Sequence, residues 1–207
     1  WQVAPAFEHD VFTFVRIEYD SGGGYWGGGG GGRGGRGGRG RGGWGRGGGG
    51  WRTDWPDSDL NFSYRLHQLT AMEVNPEGKI MRLTDPELFH YPFIYIVEPG
   101  SLTFREDEVE ALRTYLLNGG FLMVDDFWGE TEWYNFYYEM KRVFPNREPK
   151  ELSVSHPIFG AVFDLKEKPQ IPSIGHALQG RSQGITWEDH GPGSQTPHFR
   201  ALFDDDR

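Results

Sequence analysis

Residues 22–50 hold 21 of the chain's 32 glycines and no acidic residue. From Gly27 to Trp51 the chain reads GGGGGGRGGRGGRGRGGWGRGGGGW. Such a stretch has almost no side-chain surface to bury, and glycine loses more conformational freedom on ordering than any other residue. The tract therefore cannot supply a core. What folds must come from the residues on either side of it. A chain of 207 residues can build one well-buried core and is short for two. We expect a single domain over 1–207, interrupted at 22–50 by an insert between its first strand and first helix.

Charge divides the same way. The chain carries a formal −9, and the insert contributes five arginines, which leaves −14 on the remainder. An acidic body and a basic strip can attract each other between neighbouring copies. Acidity also serves solubility alone. There is no cysteine, so disulfides, thiolate nucleophiles and cysteine-based zinc sites are excluded. No run of 18 apolar residues is present, so no membrane-spanning helix is expected. The sequence starts at Trp1 rather than Met, as a fragment would, or a chain from which a secretory signal had been cleaved.

The flanking sequence alternates strand and helix patterns. VFTFVRIEYD (Val11–Asp20) alternates and is rich in β-branched and aromatic residues, which predicts a strand. After the insert, WPDSDLNFSYRLHQLTAM predicts a helix capped by Asp57 or Ser58, with Phe62, Leu66 and Leu69 on its inner face. GKIMRLTD predicts a short strand, and PELFHYP a turn or one helical turn. FIYIVEPG (Phe93–Gly100) and FLMVDDFWG (Phe121–Gly129) are continuous apolar runs, as in strands buried on both faces. Between them TFREDEVEALRTYLLNGG predicts a helix. A Thr103–Glu106 capping box starts it, Val109, Leu112 and Leu116 form its buried stripe, and Gly119 or Gly120 stops it. ETEWYNFYYEMKRVF predicts a third helix ended by Pro145. SIGHALQGRSQGITWED reads as loop with room for one strand, and PHFRALFDDDR as a last strand. Buried strands alternating with helices imply an α/β domain. The expected form is a flavodoxin-like three-layer sandwich with a mostly parallel sheet.

FTFVRIEYDS, WRTDWPDSDLNFSYRLHQLT, RLTDPELFHYPFIYIVEPG, LRTYLLNGGFLMVDDFWG and MKRVFPNREPKELSVSHPIF together resemble the bacterial domain of unknown function 4159. The resemblance implies a relative of the glutamine-amidotransferase-like flavodoxin fold, commonly exported, with no reaction to carry over. Two departures stand out. The insert is longer than the short glycine-containing loop of relatives, and the chain ends at FDDDR where relatives continue with GRL and a further strand.

In an open α/β sheet, ligands bind beyond the carboxyl ends of the strands. Asp20, Glu98, Asp125 and Asp126 fall there, with His156 of SHPIF near the same edge. Carboxylates so clustered can hold Mg²⁺ or Ca²⁺, or act as general acid and base. The competing structural role for Asp125 and Asp126 is to cap the following loop and helix. Amidotransferase-type acyl transfer is not expected, because the turn VEPG offers neither Cys nor Ser at the elbow. His67, His90, His156, His176, His190 and His198 show no metal-binding spacing, and GGRGGRGG matches no phosphate loop. No cofactor follows from the sequence beyond that divalent metal.

Three readings of the insert compete. A glycine tract is mobile by default as a linker. Arg-Gly-Gly repeats with aromatics bind RNA through charge and stacking. Alternatively, Arg33, Arg36 and Arg39, spaced by three, share one edge of a left-handed extended helix whose other edges are bare glycine. Those bare edges allow close packing between neighbours. Arg33, Arg36, Arg39, Arg41 and Arg46 could then meet acidic faces or stack on Trp26, Trp44 and Trp51. We expect this third arrangement. It makes the protein a non-catalytic, exported, extracellular or periplasmic structural protein whose partner is itself, in a homo-oligomer such as a filament or tube. Nucleic-acid binding ranks lower because the body is acidic. The alternative function is a ligand- or metal-binding or hydrolase-type domain using the strand-end carboxylates.

Overall fold

Four short apolar strands pair side by side in parallel, and their register brings the chain's polar strand ends to one edge. The computed structural model describes residues 1–2, 10–22 and 50–203. The sheet has the order β3-β1-β4-β6, from β1 (Val15–Ile17), β3 (Lys79–Met81), β4 (Phe93–Val97) and β6 (Phe121–Asp125). All three pairings are parallel. Helices α1 (Asp57–Leu69), α2 (Glu106–Leu117) and α3 (Gly129–Val143) connect or follow them, in the order predicted. The parallel sheet flanked by helices is consistent with the flavodoxin-like expectation.

Alternation along the strands assigns the layers. Val15, Ile17, Ile94 and Ile96 share a core with Val109, Leu112 and Tyr115 of α2 and Met140 and Val143 of α3. Phe14, Tyr95 and Val97 point the other way and pack with Phe62 of α1. Phe62 meets Phe14 at 5.0 Å and Phe93 at 5.7 Å between ring centroids. Each fully buried Ile, Leu or Val is worth roughly 1.5–3 kcal/mol.

Several local expectations are corrected. The first predicted strand is split: only Val15–Ile17 joins the sheet, while β2 (Asp20–Ser21) turns away to pair antiparallel with β5 (Leu102–Thr103). Thr103 is thereby used in a strand. Helix α2 begins at Glu106, and Glu108 Oε2, not Glu106, accepts the N–H of Arg105 at 2.9 Å. Neither Asp57 nor Ser58 caps α1; the cap position is Pro56, and Ser58 Oγ is held by Arg16. The inner face of α1 runs through Asp59, Phe62, Ser63 and Leu66, which leaves Leu69 49 % exposed. Gly119, with φ +95°, is the left-handed stop of α2.

The residues after α3 wrap the domain in short pieces. Strand β7 (Lys150–Glu151) pairs antiparallel with β8 (Arg200–Ala201), which is what enters a sheet among the described residues of the predicted last strand. Residues 174–180, expected as loop, form helix α4 (Ile174–Gly180), capped by Ser173 Oγ. Among the described residues, no helix is long and apolar enough to cross a membrane.

Candidate functional site at the carboxyl edge of the sheet

The strand order reverses between β1 and β4, so the crevice outside their carboxyl ends is where this architecture offers a ligand site. The construction of that edge starts with Arg16. This residue is fully buried in β1 on the α1 face. Its Nε donates to the Asp59 carboxylate at 3.0–3.1 Å, and its Nη2 lies 2.5 Å from Asp59 Oδ1. The remaining donors reach Ser58 Oγ at 2.7 Å and the carbonyl oxygens of Trp51 and Thr53 at 2.8 and 3.1 Å. One guanidinium therefore fixes the start of α1 and the segment 51–53 against the sheet.

Arg16 also stacks over the Tyr95 ring, 5.1 Å from its centroid. The Tyr95 hydroxyl donates to Asp125 Oδ1 at 2.5 Å. Asp59, Arg16, Tyr95 and Asp125 thus form a polar row across the α1 face from helix to last strand. Just beyond β1, the Tyr19 hydroxyl sits 2.8 and 2.6 Å from the carbonyl oxygens of Val97 and Glu98 and ties the end of β1 to the turn after β4.

Three carboxylates at this edge share an unusual backbone. Asp54, Glu98 and Asp126 have φ of 54°, 49° and 57°, and they are the only non-glycine residues with positive φ among the described residues. That conformation costs an L-residue roughly 1–2 kcal/mol. Glu98 follows β4 directly, in the turn Glu98–Ser101 at the carboxyl end of the strand. Its side chain lies across Gly50, where an added Cβ would come within 2.5 Å of Glu98 Oε2.

These groups repel one another. Burial raises the Glu98 carboxyl above its ordinary range; the Thr53 side chain opposes this, while Asp126, Glu132 and Asp54 add to it. Asp125 is raised first by burial and further by Asp126 and Asp54, against the Tyr95 hydroxyl and Arg16. Asp126 is raised by desolvation and then by Glu188, Asp54 and Glu132, against the Trp128 indole N–H. Six carboxylates from five segments therefore surround one edge: Asp54, Glu98, Asp125, Asp126, Glu132 and Glu188.

Two sequence candidates lie elsewhere in function. Asp20 is taken by Arg82 and Arg105 at 3.3 and 3.1 Å, in an ion-pair group with Glu18 and Glu108. It locks β2 to the start of α2. His156 caps its own 3-10 turn, its Nδ1 accepting from the Ile158 N–H at 3.3 Å. Glu98, Asp125 and Asp126 lie within electrostatic reach of one another at this edge. Among the described residues, no group of three or more His, Asp or Glu residues is arranged to hold a metal ion. Trp51, expected as an assembly residue, is 7 % exposed within the main core, because the chain re-enters the domain there. Trp26, Arg33, Arg36, Arg39, Arg41, Trp44 and Arg46 lie outside the described residues.

The loop after α4 completes the edge with residues that no sequence motif marked. His190 Nδ1 lies 2.7 Å from Glu132 Oε1, and its Nε2 lies 3.6 Å from Glu188 Oε2. Glu132 thus occupies Nδ1, while Glu188 lies beyond hydrogen-bond distance of Nε2. Ser173 Oγ and Glu188 Oε2 both approach Nδ1 of His176, at 2.8 and 3.3 Å. A nucleophilic triad needs its serine and acid on opposite nitrogens, so this trio serves as a helix cap.

A family model described as Domain of unknown function (DUF4159) matches residues 43–207. The chain belongs to this family. No curated protein matches it. The DUF4159 match takes in α1, three of the four sheet strands and all six carboxylates of the edge. Strand β1, with Arg16 and Tyr19, lies before the matched segment. Arg16 therefore reaches across from outside the DUF4159 match to hold Asp59 within it.

Proposed function

We propose that this DUF4159 domain is a ligand-binding module that takes a cationic group, such as a guanidinium or amine, at the carboxyl edge of its sheet. The observation that carries this is the convergence of Asp54, Glu98 and Asp126, each in a left-handed backbone, beside Asp125. Strain and crowded like charge are costs that a fold retains where the arrangement is used. A bound cation would offset the like charge gathered at this edge. The test is a thermal-shift and NMR titration with a Gly-Arg-Gly-Gly-Arg-Gly peptide, against its citrulline analogue at matched ionic strength. Stabilisation by the arginine peptide alone, lost in Asp126→Asn, is expected. Equal response to both peptides overturns the reading.

A second reading is self-assembly, in which arginines of the insert are the cation for a neighbouring copy and the protein acts as an exported structural element. One observation favours it: both ends of the insert are fastened at this edge. Gly22 N–H donates to Ser101 O at 2.9 Å, and Gly50 lies against Glu98. Electron microscopy of the intact protein, alongside a variant with 27–50 replaced by a short Gly-Ser loop, tests it. Filaments from the intact chain and monomers from the variant support assembly. Monomers from both refute it.

A further inference from the structure

Helix α2 runs out into Asn118-Gly119-Gly120, the one place in the chain where an asparagine precedes a glycine. The other asparagines precede Phe62, Pro76, Phe136 and Arg147. Asn118 is the exposed C-cap residue, at φ −86° and ψ 12°. Its Nδ2 donates to Thr114 O at 2.8 Å, and the Gly119 N–H donates to Leu116 O at 3.1 Å. Gly119 has φ +95°, and nothing lies within 4 Å of where a Cβ would stand. An asparagine side chain is an amide, and the backbone nitrogen of the next residue can attack it and close a cyclic imide. A side chain on that next residue crowds the attack. Glycine has none, and its backbone turns freely. Closure requires the peptide after Asn118 to swing away from ψ 12°, so the two exposed hydrogen bonds must open first. Helix ends fray, and this one opens at little cost.

We propose that Asn118 is a modification site, where the chain deamidates itself through a cyclic imide with Gly119 and thereby loosens the joint between α2 and β6. Hydroxide removes the Gly119 N–H proton. The nitrogen bonds to Cγ of Asn118, the C–N bond of the side-chain amide breaks, and its nitrogen leaves as ammonia with a proton from water. Water then opens the imide, at Cγ to give aspartate or at the Asn118 backbone carbonyl to give isoaspartate. In either product Thr114 O loses its donor and faces a carboxylate, at the helix end where the macrodipole disfavours negative charge. The last turn of α2 has no basic residue to offset it. Isoaspartate also adds a methylene to the main chain just before Gly120, which packs so closely on the Tyr115 ring that a Cβ would come within 2.2 Å of it. The site lies at the opposite end of β6 from Asp125, and its chemistry does not depend on the cation-binding reading.

The test is peptide mass spectrometry of the intact protein after incubation at mildly alkaline pH, against a control digested without incubation. The expected result is a mass gain equal to replacing NH by O, assigned by fragment ions to Asn118 and divided between aspartate and isoaspartate. Fragment ions are needed because Asn135 shares the tryptic peptide. Asn118 that stays intact, or changes no faster than Asn61 and Asn146, overturns the proposal, and this arm needs no variant to fold. The consequence for α2 is read by amide exchange, corrected for intrinsic rates, at residue 118, whose N–H is held by Thr114 O at 3.1 Å. In Asn118→Asp its protection is expected to fall by about twofold to fivefold, as a charge opposed to the helix dipole requires, with Leu112 in the middle of α2 unchanged. Unchanged protection at residue 118 overturns the loosening of the joint.

Discussion

The guanidinium of Arg16 and the carboxylate of Asp59 meet at 2.5 Å, with side-chain exposures of 0 % and 4 %. Two buried charges so paired add little net stability over apolar residues, but breaking the pair strands one of them. Asp59→Ala is expected to cost about 3–5 kcal/mol in urea denaturation. The double change Arg16→Met with Asp59→Leu is expected to recover part of that loss, since no charge is left buried alone. It should not recover all of it, because the carbonyls of Trp51 and Thr53 lose their donor. A double variant no better than Asp59→Ala would show that the guanidinium's contacts to residues 51–53, rather than the ion pair, dominate.

Glu98 pays a backbone cost that glycine would not. At φ 49° and ψ 53° it sits in the left-handed region directly after β4. Glu98→Gly is expected to hold or raise the melting temperature, with a gain of up to about 1 kcal/mol from relieved strain. Glu98→Val, β-branched at the same φ, is expected to lower it. A fall in both variants would mean that the side chain's packing over Gly50 outweighs the strain.

The architecture was legible where burial repeats along the chain. FIYIV is a buried strand, and Val109, Leu112 and Leu116 mark α2, because apolar periodicity records which face meets the core; FLMVD, expected to be buried on both faces, is a strand at the sheet's edge that stays half-buried, with Phe121 57 % exposed. The capping residues were misread because side chains with capping chemistry were used elsewhere: Ser58 serves Arg16, and Thr103 serves β5. At the edge, Glu98, Asp125 and Asp126 could be read because strand ends are local. Asp54, Glu132, Glu188 and His190 could not, since only tertiary packing joins segments so far apart. Arg16 left one trace, a charge at a position where VFTFVRIEYD alternates into the core. Nothing local named Asp59 as its partner.

Asp126 should be a destabilising charge at neutral pH. Its carboxyl is raised in the folded state, so the native protein keeps this proton to higher pH than the unfolded chain does. Stability is then lost as pH rises from the ordinary aspartate value through the raised one, and stays lower above it. Asp126→Asn removes the charge and suits the left-handed backbone, which Asn tolerates. The variant is expected to melt higher than the native sequence at pH 7, with the gap closing as both become neutral below about pH 4. A gap that stays constant with pH would assign the gain to something other than the charge.

Glu151 works in the opposite sense. One carboxylate receives Lys168 and the Phe199 N–H on Oε1, and His198 at 3.0 Å and Arg200 at 3.2 Å on Oε2. Burial raises its pKa, but the hydrogen bonds from Lys168, His198 and Phe199 outweigh that and bring it from an ordinary 4.5 down to about 2. The ionised form is therefore what the folded arm selects. Its contribution is complete above the unfolded value and is lost as pH falls through the folded one. The carboxylate is 40 % exposed, so solvent screens part of the effect. The sensitive probe is the Leu152 N–H, held by Phe199 O at 2.7 Å beside the β7–β8 pair. Glu151→Gln is expected to lower its exchange protection by about threefold to tenfold at pH 7. Acidifying the native protein from about pH 4.5 towards pH 2 should bring it to the level of the variant. If Glu151→Gln leaves Leu152 protected, the β7–β8 clip is held by its backbone bonds, and the cations gathered on Glu151 are not what fastens the end of the chain.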